Sequence, residues 1–585
     1  LLQKLGINPA CFHINEGHAA FLVLERVSRL VKEVGLTFDE AREFVRASTV
    51  FTTHTPVPAG HDRFGEDMMR RYFADVSSWV GVPWERFWAL GSSEEDRTSF
   101  NMTYLAMSFA GFVNGVSRLH GEVSKSLLKP FWPRLLAAEV PVTSITNGVH
   151  LASWTHPDMC VLLGVKDRAV RGDDFARGAQ SLDDARLWEM RKRAKSRLVS
   201  ALRRDIQAAF LARSDSAKTL SRTLDGLDEN ALWIGFARRF APYKRAQLLL
   251  REPERLADLL DRPGRPVRLV FAGKAHPADK HGQEILKKIV EATRSERFLG
   301  KVFFVENYDI GLARTLVQGV DVWLNNPTRP LEASGTSGMK VAANGGLNVS
   351  IQDGWWIEAQ ELDARNGWSI GAGQVYPTQE LQDDLDGEIL HRLLDEDVIP
   401  LWFDRKNGIP HGWFERVRAN LATIPPVFDT DRMVGEYRDR AYLPLGAGWH
   451  ALRESRFAPT RARSERAQRI RKGFETVKIV AAQIADLSVV HEGDPIDVRV
   501  EADLGSLRPA DVVVELVLGH SDDGLDLKNA VPIELRHVGA AGANARIFEG
   551  SHVTQRSGSY AWAIRIRARD GGIHDLSTRD LVLWG

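Results

Sequence analysis

Cysteine is almost missing from this chain. Only Cys11 and Cys160 occur among 585 residues, so no disulfide framework can staple the fold and a reducing compartment is expected. A surplus of one charge is missing too. Lys+Arg and Asp+Glu each number 77, which gives no electrostatic argument for a nucleic-acid or membrane partner. No apolar run reaches the length of a membrane-spanning helix and nothing at the start resembles a signal peptide, so a cytoplasmic location is expected. No spacing argues a metal site, and no internal repeat or low-complexity segment is found. An initiating Met is also lacking. The chain opens Leu1-Leu2-Gln3-Lys4, as if inside an element already under way, and an amino-terminal part of the protein is expected to precede it.

What is present argues a multidomain α/β protein. A length of 585 residues exceeds what one core serves, so at least three domains are expected. Between Leu232 and Ile351 short apolar runs alternate with amphipathic ones. Trp233–Phe236, Arg268–Phe271, Val302–Val305, Val322–Leu324 and Leu347–Ile351 read as strands. Lys244–Leu260, His281–Thr293 and Ile310–Val317 read as helices between them. The alternation predicts a Rossmann-like domain with a parallel sheet covered on both faces. Leu381–Leu394 reads as a helix with Pro400 marking a stop beyond it. Residues 1–220 carry long helical patterns, Ala19–Val34 and Tyr104–Leu119 among them, with few clear strands. Asp429–Gly473 is charged and helical. From Val477 onward, alternating runs such as Val498–Val500, Val512–Leu518, Pro532–Leu535 and Tyr560–Ile566 predict an all-β sandwich. The expected boundaries are 1–220, 221–428, 429–474 and 475–585.

Two stretches could carry chemistry. Glu332-Ala333-Ser334-Gly335-Thr336-Ser337-Gly338-Met339-Lys340 places small residues between a strand and a helix, where backbone N–H groups can approach a phosphate. Lys340 could pair with that phosphate or form a Schiff base with an aldehyde cofactor, and the residue types alone leave both open. A Gly-rich helix cap with a surface lysine is the plainer alternative. Arg238-Arg239-Phe240-Ala241-Pro242-Tyr243-Lys244-Arg245 follows a strand directly, at the edge where open α/β sheets bind ligands. Its cations suit phosphate, guanidinium as a fork and ammonium as a point charge. A solvated turn is the alternative there.

These two stretches resemble the α-glucan phosphorylase family, the glycogen, maltodextrin and starch phosphorylases. Four further segments keep the family's order: Thr53-His54-Thr55, Val113-Asn114-Gly115-Val116, Thr146-Asn147-Gly148-Val149 with Trp154, and Glu306-Asn307-Tyr308. The variants Phe236-Ala237-Arg238-Arg239, Gly273–Asp279 and Asp353-Gly354-Trp355-Trp356 resemble the bacterial and archaeal branch. The resemblance implies two Rossmann-like domains of glycosyltransferase-B type, the first incomplete here. It implies reversible, retaining phosphorolysis of an α-1,4-glucan to glucose 1-phosphate, with pyridoxal 5'-phosphate as cofactor and a homodimer as assembly. Residue by residue, Lys340 would hold the cofactor as a Schiff base. Tyr308 and Trp154 would line the cofactor, and Arg238, Thr336 and Ser337 would hold its phosphate. Arg239 and Lys244 would bind the substrate phosphate. His54 would bond the sugar's 6-hydroxyl, and Asn147, Glu332, Ala333, Ser334 and Gly335 would complete the glucosyl pocket. His18 would face the substrate, whereas Glu16 stands where the family has a different residue. His61, His120 and His150 receive no chemical role, and Trp355-Trp356 could be core or sugar platform. The family's Gly-rich loop has no counterpart here.

Three other classes compete: a sugar-nucleotide glycosyltransferase, a glucan-binding protein with a dead site, and an aminotransferase-like enzyme. The first would not need a lysine in the Ser-Gly-Met-Lys context, and the last leaves the sugar-pocket segments unexplained.

Overall fold

The computed structural model describes residues 2–57, 60–93, 95–165, 170–484, 493–521, 527–553, 559–570 and 575–585. The chain forms two compact units. One comprises Leu1–Asn114, Ser124–Thr143 and Arg438–Gly585; the other comprises Gly115–Val123 and Ser144–Tyr437.

The second unit is built on a six-stranded sheet. Its order is Gly367–Ile370, Leu347–Ile351, Val322–Asn325, Leu232–Ala237, Val267–Ala272 and Val302–Val305, and every pairing is parallel. Leu232–Ala237 is buried throughout, and its alternate residues enter opposite cores. Leu232, Ile234 and Phe236 join one apolar cluster, while Trp233 and Ala237 join another. Burial on both faces is why such strands read as continuous apolar runs. The first strand in sequence lies inside the sheet, with the next two on one side and the last three on the other. Strand order therefore reverses between Leu232–Ala237 and Val322–Asn325, the place where open α/β sheets leave a crevice for ligand.

Two expectations in this unit are corrected. Lys244–Leu260 is not one helix: short 3-10 turns at Pro242–Lys244 and Leu248–Arg251 precede the helix Pro253–Leu260. The break follows from Arg245, which sits in left-handed conformation at φ 50°. It buries its guanidinium against the carbonyls of Asn326 and Pro327 and the carboxylates of Asp383 and Asp386. Pro400 does not stop the chain. The helix Gln379–Leu393 widens into a π turn, Leu394–Val398, and continues as Ile399–Phe403. The π turn stands just ahead of Pro400, and such turns occur inside helices where the regular i→i−4 ladder is interrupted, as it is by a proline's missing N–H.

In the first unit, Phe12–Asn15, Thr49–Thr52 and Phe112–Gly115 pair in parallel, more strands than the sequence pattern announced. The expected helix Tyr104–Leu119 is instead the helix Met102–Ser108, this strand, and a new helix from Arg118. Gly111 makes the change of direction: a Cβ there would lie 2.6 Å from the carbonyl oxygen of Arg46, closer than any side chain tolerates.

The helical segment Leu443–Phe474 leaves helical geometry at Glu454–Phe457. It leads to two antiparallel four-stranded sheets. One runs Lys478–Ile484, Pro495–Asp503, Ala545–Val553, Arg536–Ala540; the other runs Lys528–Glu534, Val512–His520, Tyr560–Ala568, Val582–Trp584. Val498, Val500 and Phe548 of the first share one core with Val514, Leu516 and Ile564 of the second. Val582 joins the core formed by Phe51, Phe100 and Leu105. No helix among the described residues is long and apolar enough to cross a membrane.

A buried charge cluster ties these sheets into the first unit. Arg565, with no exposed side-chain surface, donates to Glu515 at 2.6 and 2.8 Å and to Glu139 at 2.5 and 2.7 Å. Removing one member of such a group strands the other charges away from water. Arg565→Met should therefore lower stability by about 3–5 kcal/mol, measured by urea unfolding at neutral pH. An unfolding midpoint equal to that of the unaltered protein would refute a stabilising role for this cluster.

Candidate active site

The crevice at the sheet's switch point is spanned by side chains. Arg238 follows the end of Leu232–Ala237, and Asn325 ends Val322–Asn325. The guanidinium of Arg238 donates to Asn325 Oδ1 at 2.5 Å and to Glu332 Oε2 at 2.5 Å. Lys244 Nζ donates to the same Glu332 oxygen at 2.5 Å. One buried carboxylate thus serves two cations. Arg239 is exposed, and among the described residues it makes no ion pair; its side chain bonds that of Tyr243. Three basic groups beside one carboxylate leave an excess of positive charge that suits an anion such as phosphate.

Electrostatics at the cluster follow from this sharing. Burial, then the adjacent Arg238, pulls the Lys244 ammonium down to about 7, against the opposing pull of Glu332. Burial alone would raise Glu332, but Arg238 and Lys244 outweigh it and hold the carboxyl below its usual value. A second, fully buried carboxyl stands behind it. Asp353 accepts from the backbone N–H of Glu332 at 2.9 Å and of Gly354 at 2.8 Å. Burial, with the nearby Glu332 charge adding to it, raises Asp353 to about 7. Gly354, at φ 54°, lets the chain fold back so closely that a Cβ would lie 2.2 Å from the Ser334 carbonyl oxygen. Trp355 N–H then donates to that carbonyl at 3.0 Å.

The state of Asp353 has a pH signature. Between about pH 4 and 7 the unfolded carboxyl ionises while the native one keeps its proton, so the native state binds more protons. Stability contributed by this group should therefore fall as pH rises through that window and level off above it. Asp353→Asn should remove this part of the slope. Comparing urea midpoints of both proteins at pH 5 and pH 8 checks it; parallel pH profiles would sink the assignment.

The segment from Glu332 to Lys340 wraps the same crevice. Ala333 carbonyl accepts from Ser117 Oγ at 2.6 Å. The N–H groups of Ser334, Gly335, Thr336 and Ser337 donate to no acceptor among the described residues. Lys340 lies in the short helix Ser337–Ala342. Its Nζ sits 3.9 Å from the ring centre of Trp154, and burial lowers its pKa. Tyr308 is half-buried, its phenol raised by burial despite the opposing Arg238 charge. Asn147 donates its N–H to Val116 O at 3.0 Å, and its carbonyl accepts from Arg432 at 3.3 Å. Trp355 and Trp356 are core: they are 2% and 0% exposed.

His54, His18 and Glu16 belong to the first unit. His54 Nε2 bonds Asn15 Oδ1 at 3.0 Å, and its backbone N–H donates to Glu16 Oε1. Glu16 also accepts from Thr55 Oγ1 at 3.1 Å. Glu16 therefore braces the main chain at His54, a function the sequence left open. Burial, with His18 nearby, lowers the pKa of His54 and favours its neutral form. His120 accepts from the N–H of Val116, His61 bonds Thr103, and His150 bonds Ser153. Sequence reasoning missed Asn325, Asp353 and Ser117. Asn325 and Ser117 stand in no motif, and Asp353 stands out in the sequence only as a branch marker.

This chain belongs to the carbohydrate phosphorylase family, whose sequence model matches residues 5–374. A second family model, the glycogen phosphorylase C-terminal domain, matches residues 475–584. Among similar proteins is a glycogen phosphorylase of Mycobacterium bovis, 38% identical over 577 residues, covering 96% of this chain and 66% of that protein. A maltodextrin phosphorylase of Thermococcus litoralis is 38% identical over 577 residues, covering 97% and 66% respectively. A glycogen phosphorylase of Aquifex aeolicus is 36% identical over 457 residues, covering 76% and 64%. The chain thus spans just under two thirds of the length of these relatives.

Proposed function

We propose that the chain carries an α-1,4-glucan phosphorylase: reversible, retaining phosphorolysis of glycogen, starch or maltodextrin ends to glucose 1-phosphate, with pyridoxal 5'-phosphate held at Lys340. The observation that carries the reading is the Arg238–Lys244–Glu332 cluster, with Arg239 beside it, at the sheet's switch point. The names of the similar glycogen and maltodextrin phosphorylases agree with it. The proposed architecture is two Rossmann-like domains of glycosyltransferase-B type followed by a β-sandwich, with domain limits at 1–220, 221–428, 429–474 and 475–585. A homodimer in the cytoplasm is proposed with it.

The residues present fit the cofactor. Lys340 offers a half-buried amine with a lowered pKa against Trp154, and the undonated N–H groups at Ser334–Ser337 suit a phosphate. When bound, pyridoxal phosphate supplies a second phosphate group beside the substrate's. Tyr308 and Trp154 line its ring in this reading, and Arg238, Thr336 and Ser337 hold its phosphate.

Arg239 and Lys244 orient the attacking phosphate. Glu332, Asn147 and the backbone at Ala333–Gly335 hold the glucosyl unit, and His54 and His18 are proposed separately as substrate-side residues of the first unit. Phosphorolysis requires a proton at the leaving glycosidic oxygen and stabilisation of an oxocarbenium-like centre. A phosphate with a second pKa near 6 can deliver that proton near neutrality. Entry of the substrate phosphate on the leaving-group face gives retention. The deciding assay is glucose 1-phosphate release from maltodextrin plus phosphate by protein reconstituted with pyridoxal phosphate. Transfer of glucose from a sugar-nucleotide donor onto the maltodextrin, with release of the nucleoside diphosphate, would in its place favour the glycosyltransferase reading.

A further inference from the structure

We propose that Asn344 is a positioning residue for Lys340: its amide ties the main chain at Lys340 to the main chain at Trp154 and so fixes where the lysine amine stands against the indole ring. The inference rests on the reading of Lys340 as the residue that holds pyridoxal phosphate. Asn344 is 0% exposed, so it acts through these two residues and not on a ligand itself.

Asn344 stands just past the helix Ser337–Ala342. Its backbone N–H, which would continue the helix by bonding the Lys340 carbonyl, donates instead to the Val341 carbonyl at 2.9 Å. Gly345 follows at φ 76°, the left-handed ending that glycine allows. The Lys340 carbonyl thereby loses its helical donor, and Asn344 Nδ2 supplies one at 2.8 Å. The same Nδ2 donates to the Trp154 carbonyl at 3.0 Å, and Oδ1 accepts from the His156 N–H at 2.7 Å. A side-chain amide nitrogen has two hydrogens to give, and both go to main-chain carbonyls.

The clamp is itself held in place. The buried guanidinium of Arg191 donates to the Asn344 carbonyl at 2.8 Å and to the Gln318 carbonyl at 2.7 Å. Gln318 Nε2 in turn donates to the Trp154 carbonyl at 3.3 Å. Trp154 and Asn344 lie 190 residues apart in the chain, yet Lys340 Nζ comes within 3.9 Å of the Trp154 ring centre. An apolar residue at 344 would take a partner from two carbonyls and one N–H at once and leave the two segments free to drift. Displacing a reacting group by about 1 Å can cost about 10²-fold in rate.

Release of pyridoxal phosphate from the loaded full chain, followed by absorbance after transfer to cofactor-free buffer, tests the inference. Asn344→Ala should release it about ten- to hundredfold faster. Its maximal rate of glucose 1-phosphate formation should fall, with the phosphate concentration for half-maximal rate unchanged. Asn366→Ala controls for general loosening of the fold. Asn366 is equally buried and bonds the Ala359 carbonyl at 2.8 Å and the Thr423 hydroxyl at 2.7 Å; its hydrogen bonds among the described residues reach neither Lys340 nor Trp154. That control should lower the urea midpoint while release stays as in the unaltered protein. Should Asn344→Ala not fold by circular dichroism, Gln318→Ala takes its place and should speed release about threefold or more, the effect of one hydrogen bond. Release no faster than from the unaltered protein, or equally fast release from Asn366→Ala, overturns the inference while borohydride still labels Lys340. Absence of that label from Lys340 in the unaltered protein would overturn the reading on which it rests, and the inference with it.

Discussion

Lys340→Ala is expected to abolish glucose 1-phosphate formation and, with it, retention of pyridoxal phosphate. The amine at this position is half-buried, stands over the Trp154 ring and has its pKa lowered by burial, so a larger share of it is unprotonated at neutral pH and nucleophilic. No other residue of the helix Ser337–Ala342 carries an amine. Borohydride treatment of the unaltered protein followed by peptide mapping should place the label on Lys340. The alanine variant should take up none, while its circular dichroism spectrum stays that of the parent. A label on a different lysine, in active protein with Lys340 unmodified, would refute the assignment.

Arg239→Ala should slow phosphorolysis by about 10²–10³-fold, the cost typical of removing one preorganised charge-stabilising donor. It should also raise the phosphate concentration needed for half-maximal rate. Arg238 and Lys244 share Glu332, whereas Arg239 has no carboxylate partner among the described residues, so its charge is the one most available to an incoming anion. Two phosphate groups brought within roughly 4 Å would repel by about 4 kcal/mol per pair of unit charges at an effective dielectric near 20. Arg239 offsets part of that term. Arg239→Lys should rescue poorly, because an ammonium lacks the planar fork. Maltodextrin affinity without phosphate should change little. Loss of glucan binding with an unaltered phosphate requirement would count against Arg239 as the phosphate ligand.

Much of this protein is legible in its residues alone. The five strands between Leu232 and Ile351 match within about two residues, because a parallel sheet buried on both faces needs uninterrupted apolar runs. The helices Lys280–Arg294 and Ile310–Gly319 are equally plain, since each carries its own 3.6-residue stripe. The segments Arg238–Arg245 and Glu332–Lys340 announce an anion site because strand-end cations and small residues before a helix do so locally.

Only the tertiary structure decided the rest, and in each case the deciding contact is distant in sequence. The strand Phe112–Gly115 exists because Thr49–Thr52 pairs with it, which no local periodicity of its own four residues could reveal. Arg245 reads as part of the phosphate cluster, yet carbonyls and carboxylates 81 to 141 residues away claim it as a structural clamp. Glu332 draws Arg238 and Lys244 to a single oxygen across 94 and 88 residues, and Asp353 fixes the backbone beneath it. Residue type and spacing determine which local structures are favourable and which chemistry is available. Burial and long-range pairing determine which charges are neutralised and which stay free for a ligand.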